Sequence, residues 1–177
     1  MVSFIFLPFQ PKKSVELVKD AKKKGLNVTC SVAIFNLILT DDVLEEFDTN
    51  YKLLPPLRTK EDTKALLKGL KDGTIDGITS DHNPIDVEHK KTEFDHAYFG
   101  STGLESSFGA LNSVLGIEES VKALTGLKQA FNIPSEKIEE GHFANLTLFN
   151  PEQSWEFSEK DILSTSKNAA FLGTKLN

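Results

Sequence analysis

The chain has 177 residues, 39% of them apolar and 13 of them Phe, enough for one domain with a buried core and too apolar for a disordered chain. Its 20 basic and 26 acidic residues give a net charge of −6, which argues against a basic surface for nucleic acid. No apolar run is long enough to span a bilayer, and the start MVSFIFLPF lacks the basic region of a secretory signal. One cysteine, Cys30, allows no internal disulfide and suits a reducing, cytoplasmic setting. It sits in the apolar run VTCSVAIF, where a small buried hydrophobe is the simpler reading than a nucleophile.

Val2 to Leu7 is a continuous apolar run, as in a buried parallel strand. Ser14 to Lys24 places Val15, Leu17, Val18 and Ala21 at helical spacing. It ends in lysines, which suit the negative end of the helix dipole, and Gly25 follows as a natural stop. Leu26 to Phe35 is a second buried run. Thr40-Asp41-Asp42 caps a short predicted helix to Phe47. After Pro55-Pro56, a helix is expected over Thr59 to Leu70, with Thr59 as N-cap and Asp62 three residues on. Asp72-Gly73 ends it, and Ile75 to Thr79 is the third strand. Strands alternating with helices indicate a parallel α/β sheet with right-handed crossovers.

Asp81-His82 follows that third strand directly, at the end where barrel enzymes keep catalytic groups. Aspartate also serves as a plain turn residue in such a place. Gly100 and Gly103 permit tight turns where the long polar loop returns. Leu104 to Leu115 and Glu118 to Phe131 read as helices, and a boundary is expected near Ile133. Asn145 to Phe149 alternates as a half-buried strand, and Ser158 caps a short helix to Leu163. Trp155 and the Phe residues after it read as core. His82, His89, His96 and His142 are scattered, with no pair at helical ligand spacing. The stretch His89 to Lys91 reads as a solvated loop face.

Six collinear segments carry a family resemblance. They are KSVELVKDAKKKGLNVT (13–29), LLPPLRTKED (53–62), LKDGTIDGITSDHNP (70–84), FGSTGLES (99–106), IEEGHFANLTLFNPEQSWEF (138–157) and SKNAAFLGTKL (166–176). Together they resemble dihydroorotases, zinc amidohydrolases of pyrimidine biosynthesis. The resemblance implies an α/β fold. The chain is expected to be the C-terminal portion of a (β/α)8 TIM-type barrel, with about three parallel strands and their helices in residues 1–133. Residues 134–177 are expected to form a short segment of the accessory β-domain. A full barrel needs about 250 residues, so a fragment or truncated product is expected.

The resemblance also implies a metal-bound hydroxide that opens a cyclic amide, with an aspartate at the last strand that holds metal and shuttles a proton. Asp81 matches that aspartate, and His82 follows it as a substrate-side residue. Arg58 is a second substrate-binding candidate, or an ion-pair partner of Glu61 or Asp62. The positions where the resemblance implies metal-binding histidines hold Pro8, Phe35 and Asn36. Leu54 stands where it implies a substrate-contacting asparagine, and Ile85 where it implies a further histidine. One carboxylate without a histidine set does not hold zinc well. The expectation is therefore a chain with no metal and no catalysis of its own. The alternatives are a genuine zinc dihydroorotase when full length, and a non-catalytic scaffold for aspartate carbamoyltransferase of the kind some family members form. Cut barrel edges also predict self-association, and neither nucleic acid nor membrane is expected as a partner.

Overall fold

The computed structural model describes residues 3–6, 11–135 and 137–177. Three parallel strands form its sheet in the order β1 (Ser3–Phe6), β2 (Val28–Ala33), β3 (Gly77–Thr79). Ile5 pairs with Cys30, and Val32 with Ile78. Residues 29–33 of β2 are buried without alternation, so both faces of this central strand are covered. Helix α1 (Pro11–Lys23) crosses from β1 to β2, and α3 (Lys60–Lys71) from β2 to β3. The two helices pack on each other, and Val18, Leu66 and Leu70 are buried in the shared core. The chain is thus an α/β fold built on a parallel sheet.

The helix signals in the sequence have local causes. Thr59 Oγ1 accepts from the Asp62 N–H at the start of α3, and the Thr59 hydroxyl donates to the Asp62 carboxylate. Gly25 follows α1 at φ 75°, a conformation that costs glycine no steric penalty. Asp76 fastens the far end of the sheet. Its carboxylate accepts from Lys22 Nζ on α1 at 2.7 and 2.8 Å and from the Cys30 N–H at 2.8 Å. Cys30 itself is fully buried, and that burial pushes its thiol up to about 11, so it is a core side chain.

Several elements differ from expectation. The apolar run to Phe35 ends its strand at Ala33 and turns into the short helix α2 (Ile34–Ile38), buried from Ile34 to Leu37. Apolar continuity marks burial and cannot tell a strand from one helical turn. The predicted helix to Phe47 is one 3-10 turn, Asp41–Leu44. After α4 (Val87–Lys90), helix α5 (Ser107–Leu115) is followed by α6 (Ile117–Thr125), which lies on β3. The helix expected to reach Phe131 stops at Thr125, and a 3-10 turn over Gly126–Lys128 follows.

Asn145 to Phe149 forms no strand. An extended segment becomes a strand only with a partner, and none pairs with it among the described residues. Leu146 and Leu148 are 65% and 99% exposed. Beyond it, β4 (Trp155–Glu156) pairs antiparallel with β5 (Lys175–Leu176). Phe157, Ile162, Phe171 and Leu176 are buried in the same core cluster as β2 and α3. Phe171 stacks on Phe35 of α2, with centroids 5.3 Å apart and planes at 25°. Among the described residues no helix is long and apolar enough to cross a membrane.

Two stability measurements check this packing. Phe171→Ala opens a cavity between the tail and α2, and is expected to cost about 3–5 kcal/mol in denaturant unfolding. Asp72, capping the turn after α3, accepts hydrogen bonds from Lys19 Nζ and then from the Thr74 hydroxyl and N–H. These bonds lower its carboxyl from 3.8 to about 2. A depressed folded-state value stabilises the fold above pH 3.8, and that stabilisation is lost as the pH falls towards 2. Both side chains are partly exposed, so Asp72→Asn is expected to cost within about 1 kcal/mol at neutral pH. The difference from the parent protein should close in acid.

Candidate functional site

β3 delivers its chain straight into Asp81, which takes the left-handed conformation at φ 48° that aspartate tolerates better than most residues. No hydrogen-bond donor or cation among the described residues meets its carboxylate. Burial without a partner raises its pKa. The chain then pairs briefly with the returning loop. His82 forms a parallel bridge with Ser101, and the Asn83 N–H donates to the Ser101 carbonyl at 2.8 Å.

His82 is held on both ring nitrogens. The backbone N–H groups of Gly103 and Leu104 both donate to Nδ1 at 3.2 Å. Two donors on Nδ1 leave the ring proton on Nε2, which faces Ser164 Oγ at 3.3 Å. Ser164 in turn donates its hydroxyl and its N–H to Glu105 Oε1. Burial raises the Glu105 carboxyl, but the Ser164 bonds and its own backbone N–H outweigh this and leave it lowered. His82 and Glu105 stand 3.8 Å apart, yet Nδ1 carries no proton to share, so they do not form an ion pair. Serine, histidine and glutamate here resemble a nucleophile triad in composition only. The serine proton goes to the carboxylate and not to the imidazole, so nothing activates Ser164 Oγ.

The turn carrying these donors needs Gly103. A Cβ there would stand 2.3 Å from the Ser80 carbonyl oxygen and 2.9 Å from Phe35 Cζ. Phe35 therefore lies directly under the His82 turn, fully buried. Asn36 is 7% exposed and spends its amide on the Pro56 carbonyl at 3.0 Å. Arg58 stands 4.0 Å from Asp62 on the first turn of α3, and no contact joins it to Asp81 or His82. Leu54 is exposed on the surface. The Ile85 N–H donates to Asn168 Oδ1 at 3.0 Å. Pro8 lies outside the described residues. The structure thus brings Asp81, His82, Glu105, Ser164 and Phe35 together, and keeps Arg58 and Asn36 in other contacts.

The residues the sequence reading missed are Glu105, Ser164 and Asn168. Asn168 is a buried hub. Its amide donates to the carbonyls of Asn83 and Gly100, and its own carbonyl accepts from Thr102 N–H at 2.7 Å. Glu105 and Asn168 lie inside the resemblance segments FGSTGLES and SKNAAFLGTKL, which was the available signal. Their partners are too distant in sequence for spacing to show.

The chain is 39% identical over 171 residues to a dihydroorotase of Thermoanaerobacter sp. (strain X514), and 40% identical over 170 residues to one of Bacillus subtilis (strain 168). The chain is dihydroorotase-like. These alignments cover 93% and 92% of it, but only 40% of each relative. No family model matches. Among solved structures, an L-hydantoinase (dihydropyrimidinase) from Arthrobacter aurescens superposes with a TM-score of 0.86 at 26% identity, covering 98% of this chain and 41% of that one. The inactive dihydroorotase-like domain of the Chaetomium thermophilum CAD-like multifunctional protein superposes with a TM-score of 0.58 at 20% identity, a likeness of fold, covering 98% of this chain and 46% of that one.

Zinc, which the resemblance implies, finds no complete ligand set among the described residues. Among the described residues no group of three or more His, Cys, Asp or Glu side chains converges as a metal set. Both His82 nitrogens are engaged, and a phenyl ring stands at position 35.

The tautomer assignment is open to direct measurement. Imidazole 15N shifts of His82 should show the proton on Nε2, with a long-range coupling pattern that Ser164→Ala leaves unchanged because Gly103 and Leu104 hold Nδ1. A proton on Nδ1 would contradict the network.

Proposed function

We propose that this chain is the C-terminal part of a dihydroorotase-type (β/α)8 barrel, carrying the aspartate end of the site without a metal set of its own. Asp81 keeps the strand-end position that the resemblance gives to the metal-binding and proton-shuttling aspartate. The single observation that carries the metal-free reading is Phe35. At the position where the resemblance implies a histidine pair, the side chain is fully buried and stacked on Phe171. A ligand lost to solvent could be replaced by a rotamer change, but a ligand replaced by core cannot.

On this reading the chain acts by association and not by hydrolysis. Leu17 on α1, Leu26 before β2, and Leu146 and Leu148 on the unpaired segment are exposed. They support self-association or docking on another chain, aspartate carbamoyltransferase being the class of partner the resemblance implies. The reading of a working zinc dihydroorotase rests on a different observation. The curated relatives, at about 40% identity, are named dihydroorotase, and the chain spans only about two fifths of their length.

The deciding experiment is elemental analysis of the longest native product containing this sequence, alongside a dihydroorotate ring-opening assay. The expected result is no stoichiometric zinc and no turnover. Stoichiometric zinc with turnover would establish the catalytic reading instead.

A further inference from the structure

Residues 143–149 read Phe-Ala-Asn-Leu-Thr-Leu-Phe and carry no charge. All seven are exposed, Phe143 and Leu148 at 93% and 99%. Among the described residues no hydrogen bond reaches their backbone. The flanking bonds run from the His142 N–H to the Glu139 carbonyl and from the Gln153 N–H to the Asn150 carbonyl. Leucine, threonine and phenylalanine in alternation favour a strand, and a strand needs a second one beside it. The segment is nevertheless anchored at its C-terminal end. The Phe149 ring lies 4.6 Å from that of Phe108 on α5, and Asn112 of the same helix donates to the Pro151 carbonyl at 3.1 Å.

The order of the side chains indicates what would cover this segment. Read from either end the classes repeat: aromatic, apolar, polar, leucine, polar, apolar, aromatic. A closed two-fold pair of strands is antiparallel. Two copies running antiparallel about Leu146 place Phe143 opposite Phe149, Ala144 opposite Leu148 and Asn145 opposite Thr147. A one-residue step of the axis spoils the match. Centred on Asn145, Phe143 meets Thr147; centred on Thr147, Phe149 meets Asn145. The ladder also has limits, because Pro151 has no N–H to give and Glu140 would face Glu152 just beyond it. Within those limits no charge meets its like. We infer that residues 143–149 pair with the same segment of a second copy of this chain, as an antiparallel ribbon with Leu146 on the two-fold axis. This rests on the association reading above and gives it a surface. A two-stranded ribbon is marginal alone, so the dimer is expected to be weak, with a Kd of about 10 µM to 1 mM.

Sedimentation equilibrium of the 177-residue chain should show a monomer–dimer equilibrium in that range. Leu146→Lys sets two ammonium groups against each other on the axis and should weaken dimerisation at least about tenfold. Leu146 is exposed, so the thermal midpoint of the monomer should not change. Leu17→Lys, at an exposed apolar position on α1, should leave dimerisation as it was. Cysteine substitution reads the register. Leu146→Cys faces its own copy and should form an intermolecular disulfide with oxidised glutathione, whereas Leu148→Cys faces Ala144 and should not. The native Cys30 is buried and does not compete. A chain that stays monomeric up to about 1 mM would overturn the proposal together with self-association. Dimers that survive Leu146→Lys, or that cross-link equally through Leu148→Cys, would overturn this surface and leave the association reading standing. Protection of the 143–149 amides from hydrogen exchange in a monomeric preparation, of this chain or of the longest native product, would assign them an internal partner and also overturn it.

Discussion

The stack of Phe35 on Phe171 is the contact on which the rest of this structure depends. It joins residues 136 positions apart in sequence, the α2 turn after β2 and the C-terminal tail, with both rings excluded from water. Two such rings bring a large share of apolar burial to one point, with stacking as an addition of about 0.5–1.5 kcal/mol. Phe35 also supports the Gly103 turn from below. With the tail fixed at Phe171, Asn168 and Ser164 fall where they can bind the loop after β3. The hydrophobic contact sets the position, and the hydrogen bonds then select the loop conformation.

The consequence for chemistry lies in how His82 is oriented. A histidine beside a strand-end aspartate invites a catalytic reading, but its two nitrogens serve the loop and the tail. Glu105 and Ser164 fix the ring in turn. Asp81 has no partner among the described residues, a half-buried carboxylate whose charged form is disfavoured by its surroundings. The buried lysines show the same economy. Lys52 and Lys90 each donate to loop carbonyls, and among the described residues only Lys52 has aromatic faces to compensate its charge.

Much of this arrangement is legible in the chain. The strand cores, the Thr59 cap with Asp62, Gly25 after α1 and Asp81 at the strand end are local signals. Each depends on residues within a turn or two, so composition and spacing reveal them. Three features were not legible. Ile34 to Ile38 is as apolar as the strand before it, and its helical turn is set by packing on α3 and α5. Asn145 to Phe149 has strand periodicity, yet no partner among the described residues completes a ladder. The Glu105, Ser164 and His82 network spans up to 82 residues, which no periodicity reports. Phe35 and Asn36 stood out only against the pattern that the resemblance implies, and what they do in the fold was not legible. One is core and the other holds the Pro56 carbonyl.

The central claim is that position 35 belongs to the core and not to a metal site, and Phe35→His tests it most directly. The imidazole would replace a stacked phenyl with a buried polar ring. Equilibrium unfolding with and without added zinc should show a loss of at least about 3 kcal/mol and no recovery on zinc addition. A Phe35→His protein as stable as the parent, or one restored by stoichiometric zinc, would contradict the account.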